Sequence, residues 1–442
     1  MKELILKLIE RKQFKEIKDI LLSMNPVDIA EVFEDFEYKE QILLYRLLPK
    51  DEAADTFSNM NSNMQEGLIN GLTDSEIRDM IDEMYLDDTV DMLEEMPANV
   101  VDRILMVTSY NKRSQINTFL NYPEDSAGSI MTVEYVALRK EMTVAEAIQK
   151  IRTVGLFKET IYTCYVTERR KLVGHVDVKD LLTSSDLRTI EEIMEDNTMY
   201  VDTHDDQEDV VKLIKKYGLI ALPVVDKTNC MVGIITVDDA MIVLQEESTE
   251  DIARMAAINP SEDDYFDTSV YEHSKNRIFW LLVLMLTSTF TGLWIDQKQL
   301  AFEGMVLIVS FMPMIMGTGG NSGSQSAALM VRGLAVEEIK FEDIFRVMWK
   351  EIRVAFLVSM VLGIANGIRI YFMYDHNILL AITIASTLLF TIMLAKLVGC
   401  TLPLLAKKIN MDPALMAAPL ITTIVDAGSM FIYFTIVAII FA

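Results

Sequence analysis

The sequence predicts a multi-domain membrane protein: an α-helical superhelix, then a tandem α/β repeat, then an all-α bundle of five membrane-spanning helices. Three observations predict this. The 442-residue chain carries a net charge of −26, yet residues 1–276 hold 29 basic and 56 acidic side chains, so the whole deficit falls there. Near Ser126 the hydrophobic period changes from purely helical to alternating strand and helix. Beyond Arg277 the chain carries apolar runs of about 20 residues, the length that crosses a hydrocarbon core. The domain bounds expected from these changes are 1–127, 128–250, a connecting segment 251–276 and a membrane domain 277–442.

The first domain reads as helix after helix. Pro26-Val27-Asp28, Pro49-Lys50-Asp51, Leu72-Thr73-Asp74 and Pro97-Ala98-Asn99 each combine a capping residue with a proline or acidic first turn. Starts at a near-constant spacing argue for a small superhelix of stacked units; an ordinary helical domain with coincidental spacing is the alternative.

From Ser126 onward the order strand (Tyr135–Leu138), helix (Val144–Val154), strands (Tyr162–Val166, Leu172–Val178) appears. It returns as Met199–Val201, Gln207–Tyr217, Leu222–Asp226 and Met231–Ile235. The segments Ser129-Ile130-Met131-Thr132, Leu222-Pro223-Val224-Val225-Asp226 and Gly233-Ile234-Ile235-Thr236-Val237-Asp238-Asp239 resemble those of a CBS domain pair, which implies a pseudo-twofold sensor module. Thr236 and Asp239 are spaced like the ribose-contacting residues of nucleotide-binding CBS domains, so ATP is an expected ligand of the second repeat. The first repeat has Asp177 and Asp180 there and lacks the hydroxyl.

The polar segment 251–276 is expected to be helical and to couple this module to the bilayer. Membrane spans are expected near Ile278–Ile295, Leu300–Met316, Val354–Tyr374, Ile378–Cys400 and Leu415–Ala442. Basic residues cluster in alternate loops (Arg277; Arg332 to Arg353; Lys407 and Lys408), which places the N-terminal domains in the cytoplasm and Ala442 outside. Gly363 and Gly367 form a small-residue pair on one face of the third span.

Two features within the apolar half are costly. The run Pro313 to Gln325, with Gly317, Gly319, Gly320, Asn321 and Gly323, is expected to break its helix and expose backbone polar groups to a watery cavity; a flexible cytoplasmic loop is the alternative. Asp426 lies 13 residues beyond Pro413, about 20 Å along a helix. A carboxylate at that depth must face water or a basic partner, for which Arg369 and Lys396 are the candidates. Asp412, before Pro413, is expected to cap the last helix and can also serve as an inner-mouth cation ligand.

Together the Gly-Thr-Gly-Gly-Asn-x-Gly-x-Gln segment, the Asp412-Pro413 and Thr422-x-x-x-Asp426 helix and the CBS pair resemble the MgtE magnesium channel/transporter family along essentially the full chain. The resemblance implies a homodimer in the cell membrane with a pore between subunits, conducting Mg2+ passively. Asp426, with Thr422, Asp412, Asn321, Gly317, Gly319 and Gly320, would hold the ion. It also implies that cytosolic Mg2+ closes the pore by bridging Asp55, Asp87, Asp91, Asp206, Glu208, Asp239, Glu247 and Glu250. Gly218 and Ile242 stand where two further acidic residues are expected, and Ala418 stands where relatives often carry Asn. A hydrated Mg2+ suits such a path, because the ion sheds water reluctantly and is held by one or two carboxylates.

The acidic half repels nucleic acid and attracts cations, although solubility alone is a sufficient reason for such a surface. Cys164, Cys230 and Cys400 lie far apart, against a disulfide framework or zinc site. The chain has no Walker A loop and no nucleophile–base pattern, against an ATP-driven pump or an enzyme. A membrane-anchored nucleotide or metal sensor without transport is the competing reading.

Overall fold

Ten short helices open the chain: α1 (Lys2–Glu10), α2 (Phe14–Leu21), α3 (Pro26–Glu34), α4 (Tyr38–Tyr45), α5 (Lys50–Ser58), α6 (Ser62–Gly71), α7 (Asp74–Glu83), α8 (Leu86–Glu95), α9 (Ala98–Val107) and α10 (Tyr110–Phe119). The starts are specified locally. Asn25 accepts from the Val27 amide, and Thr73 forms a reciprocal capping box with Glu76. Helices α3, α5, α7 and α9 begin 24 residues apart. α3 packs on α5, α5 on α7 and α7 on α9, while α4, α6, α8 and α10 stack in a second row. This is the expected superhelix. Each unit buries one apolar stripe, with Phe33, Phe57, Ile81 and Ile104 fully enclosed.

The computed structural model describes residues 1–261, 265, 268–299, 306–336, 338–409, 411–416 and 418–441. It comprises two compact units, Met1–Gln245 and Glu246–Ala442.

The first unit also contains the tandem repeat. β1 (Ala137–Leu138), α11 (Val144–Val154), β2 (Thr163–Glu168), β3 (Lys171–Asp177) and α12 (Val178–Thr183) form one half. β4 (Val201–Asp202), α13 (Gln207–Tyr217), β5 (Ala221–Val225), β6 (Met231–Thr236) and α14 (Val237–Met255) form the other. Each half has a three-stranded sheet with its first pair parallel and its second antiparallel, in the orders β1-β2-β3 and β4-β5-β6. The two halves meet through Tyr165, Ala221, Met231 and Ile234. The superhelix core continues into the second half through Ala127, Met131, Val210 and Leu222, so the two domains share one apolar interior.

The second unit begins at the end of α14 and contains α15 (Val270–Gln299), α16 (Val306–Val309), α17 (Met312–Ala335), α18 (Ile344–Met373), α19 (Ile378–Lys408) and α20 (Ala418–Phe441). Among the described residues four helical stretches are long and apolar enough to cross a membrane: Val270–Leu293, Phe341–Met373, Ile378–Lys408 and Pro413–Phe441. The expected second span, Leu300–Met316, begins on residues 300–305, outside the described residues; its remainder is divided between α16 and α17. The helix expected over 251–276 is not one helix. Its start is the end of α14 and its finish the beginning of α15, with non-helical backbone at Ala256–Ser261.

The largest departure concerns the glycine-rich run. It does not break its helix: α17 is continuous from Met312 to Ala335, with Pro313 in the first turn, where a missing amide costs nothing. The glycines serve packing instead. A methyl group on Gly319 would stand 2.8 Å from Thr391 Cγ2 and 2.9 Å from Val425 Cγ1. At Gly399 it would overlap the Gly323 carbonyl. The bundle is built around α17, α18, α19 and α20 packing closely on one another, which recovers the helical propensity glycine forfeits.

Candidate functional site

Within the bundle, Asp426 sits partly exposed in the third turn of α20. Neither expected partner reaches it. Lys396 lies 3.5 Å from Glu351, and Arg369 points at the sulfur of Met314, 3.3 Å away. Among the described residues no hydrogen bond or ion pair engages the Asp426 carboxylate. A carboxylate on a membrane helix is costly in lipid.

α17 carries the next part. Gly319 packs on Val425 and Ser429, and Gly320 on Thr422: a methyl group on Gly320 would stand 3.1 Å from Thr422 Cγ2. These contacts lay α17 alongside the Thr422–Asp426 segment. Gly317, Asn321 and Gln325, four residues apart, form an exposed face of α17. Exposed amides on a bundle of this apolarity need a wet surface or a second chain. Nearby, the buried hydroxyls of Ser322 and Thr391 have no hydrogen-bond partner among the described residues. The Thr422 hydroxyl is occupied, donating to the Pro419 carbonyl at 2.9 Å.

Asp412 is more engaged than the sequence indicates. Its Oδ1 accepts from the Ala414 amide at 2.7 Å, so it caps the 3-10 turn Pro413–Met416 that precedes α20, not α20 itself. Its Oδ2 accepts from Arg254 Nη1 at 2.6 Å, and Arg254 also pairs with Glu250. The end of α14 is therefore tied to the turn leading into the Asp426 helix.

The first unit holds a separate acidic pocket. Asp87, in the first turn of α8, is 7% exposed and its Oδ1 has no hydrogen-bond partner among the described residues. Burial, then the charges of Asp88, Asp239 and Glu159, hold its carboxyl well above the usual range. Asp88 is pushed up to about 6 by burial and by Asp239, Asp55 and Glu134. Glu159 is pushed up to about 8 by burial and by Asp239, Asp238 and Asp88. Asp239 is raised by burial, against a bond donated by Thr236, and Asp55 is raised by burial and Asp51. These carboxylates, buried at Asp87 and partly or more fully exposed at the others, form one cluster that joins α5, α8, the loop before β2 and the start of α14.

Of the predicted regulatory residues, the structure brings Asp55, Asp87 and Asp239 into this group. Asp91 is exposed on α8. Asp206 caps α13 through the Glu208 amide, and Glu208 bridges Lys212 at 2.9 Å. Glu247 and Glu250 lie on the last turns of α14 in the second unit. Gly218 ends α13 in the left-handed region, φ 63°, and Ile242 is exposed on α14. Sequence reasoning missed Asp88, Glu134, Glu159 and Asp238. Asp88 and Asp238 stand beside predicted ligands and could have been found by adjacency; Glu159, in a loop, carries no local signal. Among the described residues no three His, Cys, Asp or Glu side chains could ligate one ion directly.

With this geometry in place, similarity to known proteins is decisive. Residues 24–125 match the MgtE intracellular N domain, 127–186 and 190–246 the CBS domain, and 312–436 the MgtE family described as a divalent cation transporter. The chain is 32% identical over 427 residues to the magnesium transporter MgtE of Thermus thermophilus, covering 96% of this chain and 94% of that protein. The chain belongs to the MgtE family. The Bacillus subtilis MgtE is 31% identical over 438 residues, covering 98% and 96% of the two chains. The soluble part of a magnesium transporter superposes with a TM-score of 0.53 at 30% identity, over 56% of this chain and 97% of that one. A cytosolic domain of the Mg2+ channel MgtE in complex with ATP superposes with a TM-score of 0.51 at 31% identity, over 54% and 98%. MgtE membership makes the chain a multi-pass membrane transporter and not an enzyme.

Proposed function

We propose that this chain forms a passive Mg2+ pathway in the cell membrane, closed by cytosolic Mg2+. The observation that carries the reading is Asp426: a carboxylate on a membrane helix, without a partner among the described residues, beside the polar face of α17. Two protomers would each supply one Asp426, with the Thr422 carbonyl and Asn321 contacting the ion's water shell. The exposed polar face Gly317–Asn321–Gln325 would meet the path between subunits. The N-terminal domains lie in the cytoplasm, and with five spans the C-terminus lies outside.

Closure follows from electrostatics. The carboxylates of the acidic pocket repel one another, and a hydrated divalent ion relieves that repulsion, favouring the compact arrangement. Asp55, Asp87 and Asp239 supply this site, with Asp91, Asp206, Glu208, Glu247 and Glu250 as further cytosolic ligands. ATP is a second effector, held by Thr236 and Asp239 of the second CBS repeat.

Arg254 gives closure a handle on the pore mouth, since it occupies Asp412 with a tethered cation. Arg254→Ala is expected to raise flux at millimolar cytosolic Mg2+ about threefold to tenfold, the worth of one partly exposed ion pair of about 1 kcal/mol. Flux assays in everted vesicles check this. The overall function is tested by expression in a magnesium-auxotrophic bacterium: growth without Mg2+ supplementation is expected, and failure of well-expressed protein to support it favours a non-transporting nucleotide sensor.

A further inference from the structure

The bundle contains a second set of intramembrane charges that the conduction reading leaves unused. Lys396 on α19 is 5% exposed and Glu351 on α18 is 7% exposed. Both reach Ser326 on α17, which is fully buried. The Lys396 ammonium donates to Ser326 Oγ at 3.1 Å, and Ser326 Oγ donates to Glu351 Oε2 at 2.7 Å. Lys396 and Glu351 themselves stand 3.5 Å apart. The result is a directed chain, ammonium to hydroxyl to carboxylate, joining three helices.

Its position is informative. Three residues from Ser326 and three from Lys396, Gly323 and Gly399 bring α17 and α19 into backbone contact. Where two helices meet through glycines, backbone lies on backbone and no polar side chain fixes their register. The charged chain supplies the interlock that the glycines lack. A buried ion pair is a poor source of stability, since desolvation consumes most of its Coulombic gain. What it provides is register: once buried, each charge tolerates only the arrangement that satisfies it. Asn321 lies five residues from Ser326, about 7.5 Å along the helix. A displacement of α17 at the hydroxyl therefore carries directly to the polar face beside Asp426.

We infer that Lys396, Glu351 and Ser326 are positioning residues for the conduction path: the ion pair of α18 and α19 grips the glycine-rich helix through the Ser326 hydroxyl and fixes its height against α20. The inference rests on the proposed conduction. It predicts that weakening the grip alters which ion passes, not merely how much protein folds.

The test is Mg2+ and Ca2+ influx into liposomes holding the purified full-length protein, normalised to folded dimer. Ser326→Ala keeps the ion pair but releases α17; it is expected to cut Mg2+ flux about tenfold, within the roughly 100-fold that a misplacement of about 1 Å can cost at an organised site, and to change the Mg2+/Ca2+ flux ratio. The pair-free Lys396→Met/Glu351→Met variant, which leaves no lone buried charge, is expected to behave likewise. Flux and ratio within twofold of the parent in either folded variant overturn the inference. So does failure of both variants to fold, which makes the chain a folding element. A parent protein without flux removes the conduction reading itself, and this inference with it.

Discussion

Replacing Asp426 with asparagine is expected to abolish magnesium uptake by a strain that depends on this protein. The substitution preserves shape and removes only charge. In the proposed dimeric pore each protomer would lose one charged acceptor to the hydrated ion, worth about 1.5–3 kcal/mol, and two protomers would act on the same ion. The combined loss is on the order of 100-fold to 10,000-fold in ion occupancy at the narrow point. Folding should survive, because no side chain pairs with Asp426 among the described residues and a neutral amide is cheaper in the membrane than a carboxylate. Growth of the complemented auxotroph and the protein's chromatographic profile check the two halves separately.

The second large effect concerns the acidic pocket, where pH and Mg2+ should act as substitutes. The carboxyls of Asp87, Asp88, Asp239 and Glu159 are all raised in the folded state. A raised pKa means that the folded protein binds protons more tightly than the unfolded chain. Its stabilising contribution is complete below the unfolded values, about 4, and is lost as pH climbs through the folded ones, about 6 for Asp88 and about 8 for Glu159. Divalent-free soluble portion, residues 1–250, should therefore melt roughly 5–10 °C lower at pH 8.5 than at pH 5.5, after discounting for partial exposure. Millimolar Mg2+ should restore most of that loss at pH 8.5 and add little at pH 5.5. In the intact protein, Asp87→Asn with Asp239→Asn should weaken inhibition by cytosolic Mg2+. Thermal melts across pH with and without Mg2+ read the first effect, and flux against cytosolic Mg2+ the second.

The fold was legible where pattern and local chemistry agree. α11 and α13 begin and end on the predicted residues, Val144–Val154 and Gln207–Tyr217. Each is an amphipathic run begun by a side-chain cap, Thr143 or Asp206. The glycine-rich segment was misread because propensity is a weak prior against tertiary packing. In water Gly317 to Gly323 would break a helix; against α19 and α20 the same residues give close backbone contact. Local sequence cannot reveal which competing effect wins, because the partner residues on α19 and α20 lie about 70 to 110 residues away.

The candidate site divides in the same way. Asp426 was legible because a lone carboxylate deep in an apolar run is expensive wherever it points. Its freedom from Lys396 was not, since that depends on Glu351 and Ser326 claiming the ammonium first. Glu159 was invisible for a related reason: only the approach of α8, the loop before β2 and the start of α14 in the folded unit places it among Asp88, Asp238 and Asp239.

The most direct test of the central claim is Mg2+ entry into sealed liposomes containing only the purified protein, followed with an entrapped Mg2+ indicator. Downhill entry without nucleotide or proton gradient, eliminated by Asp426→Asn, is the predicted result. Entry that is absent in the parent, or equally fast in the asparagine variant, would contradict it.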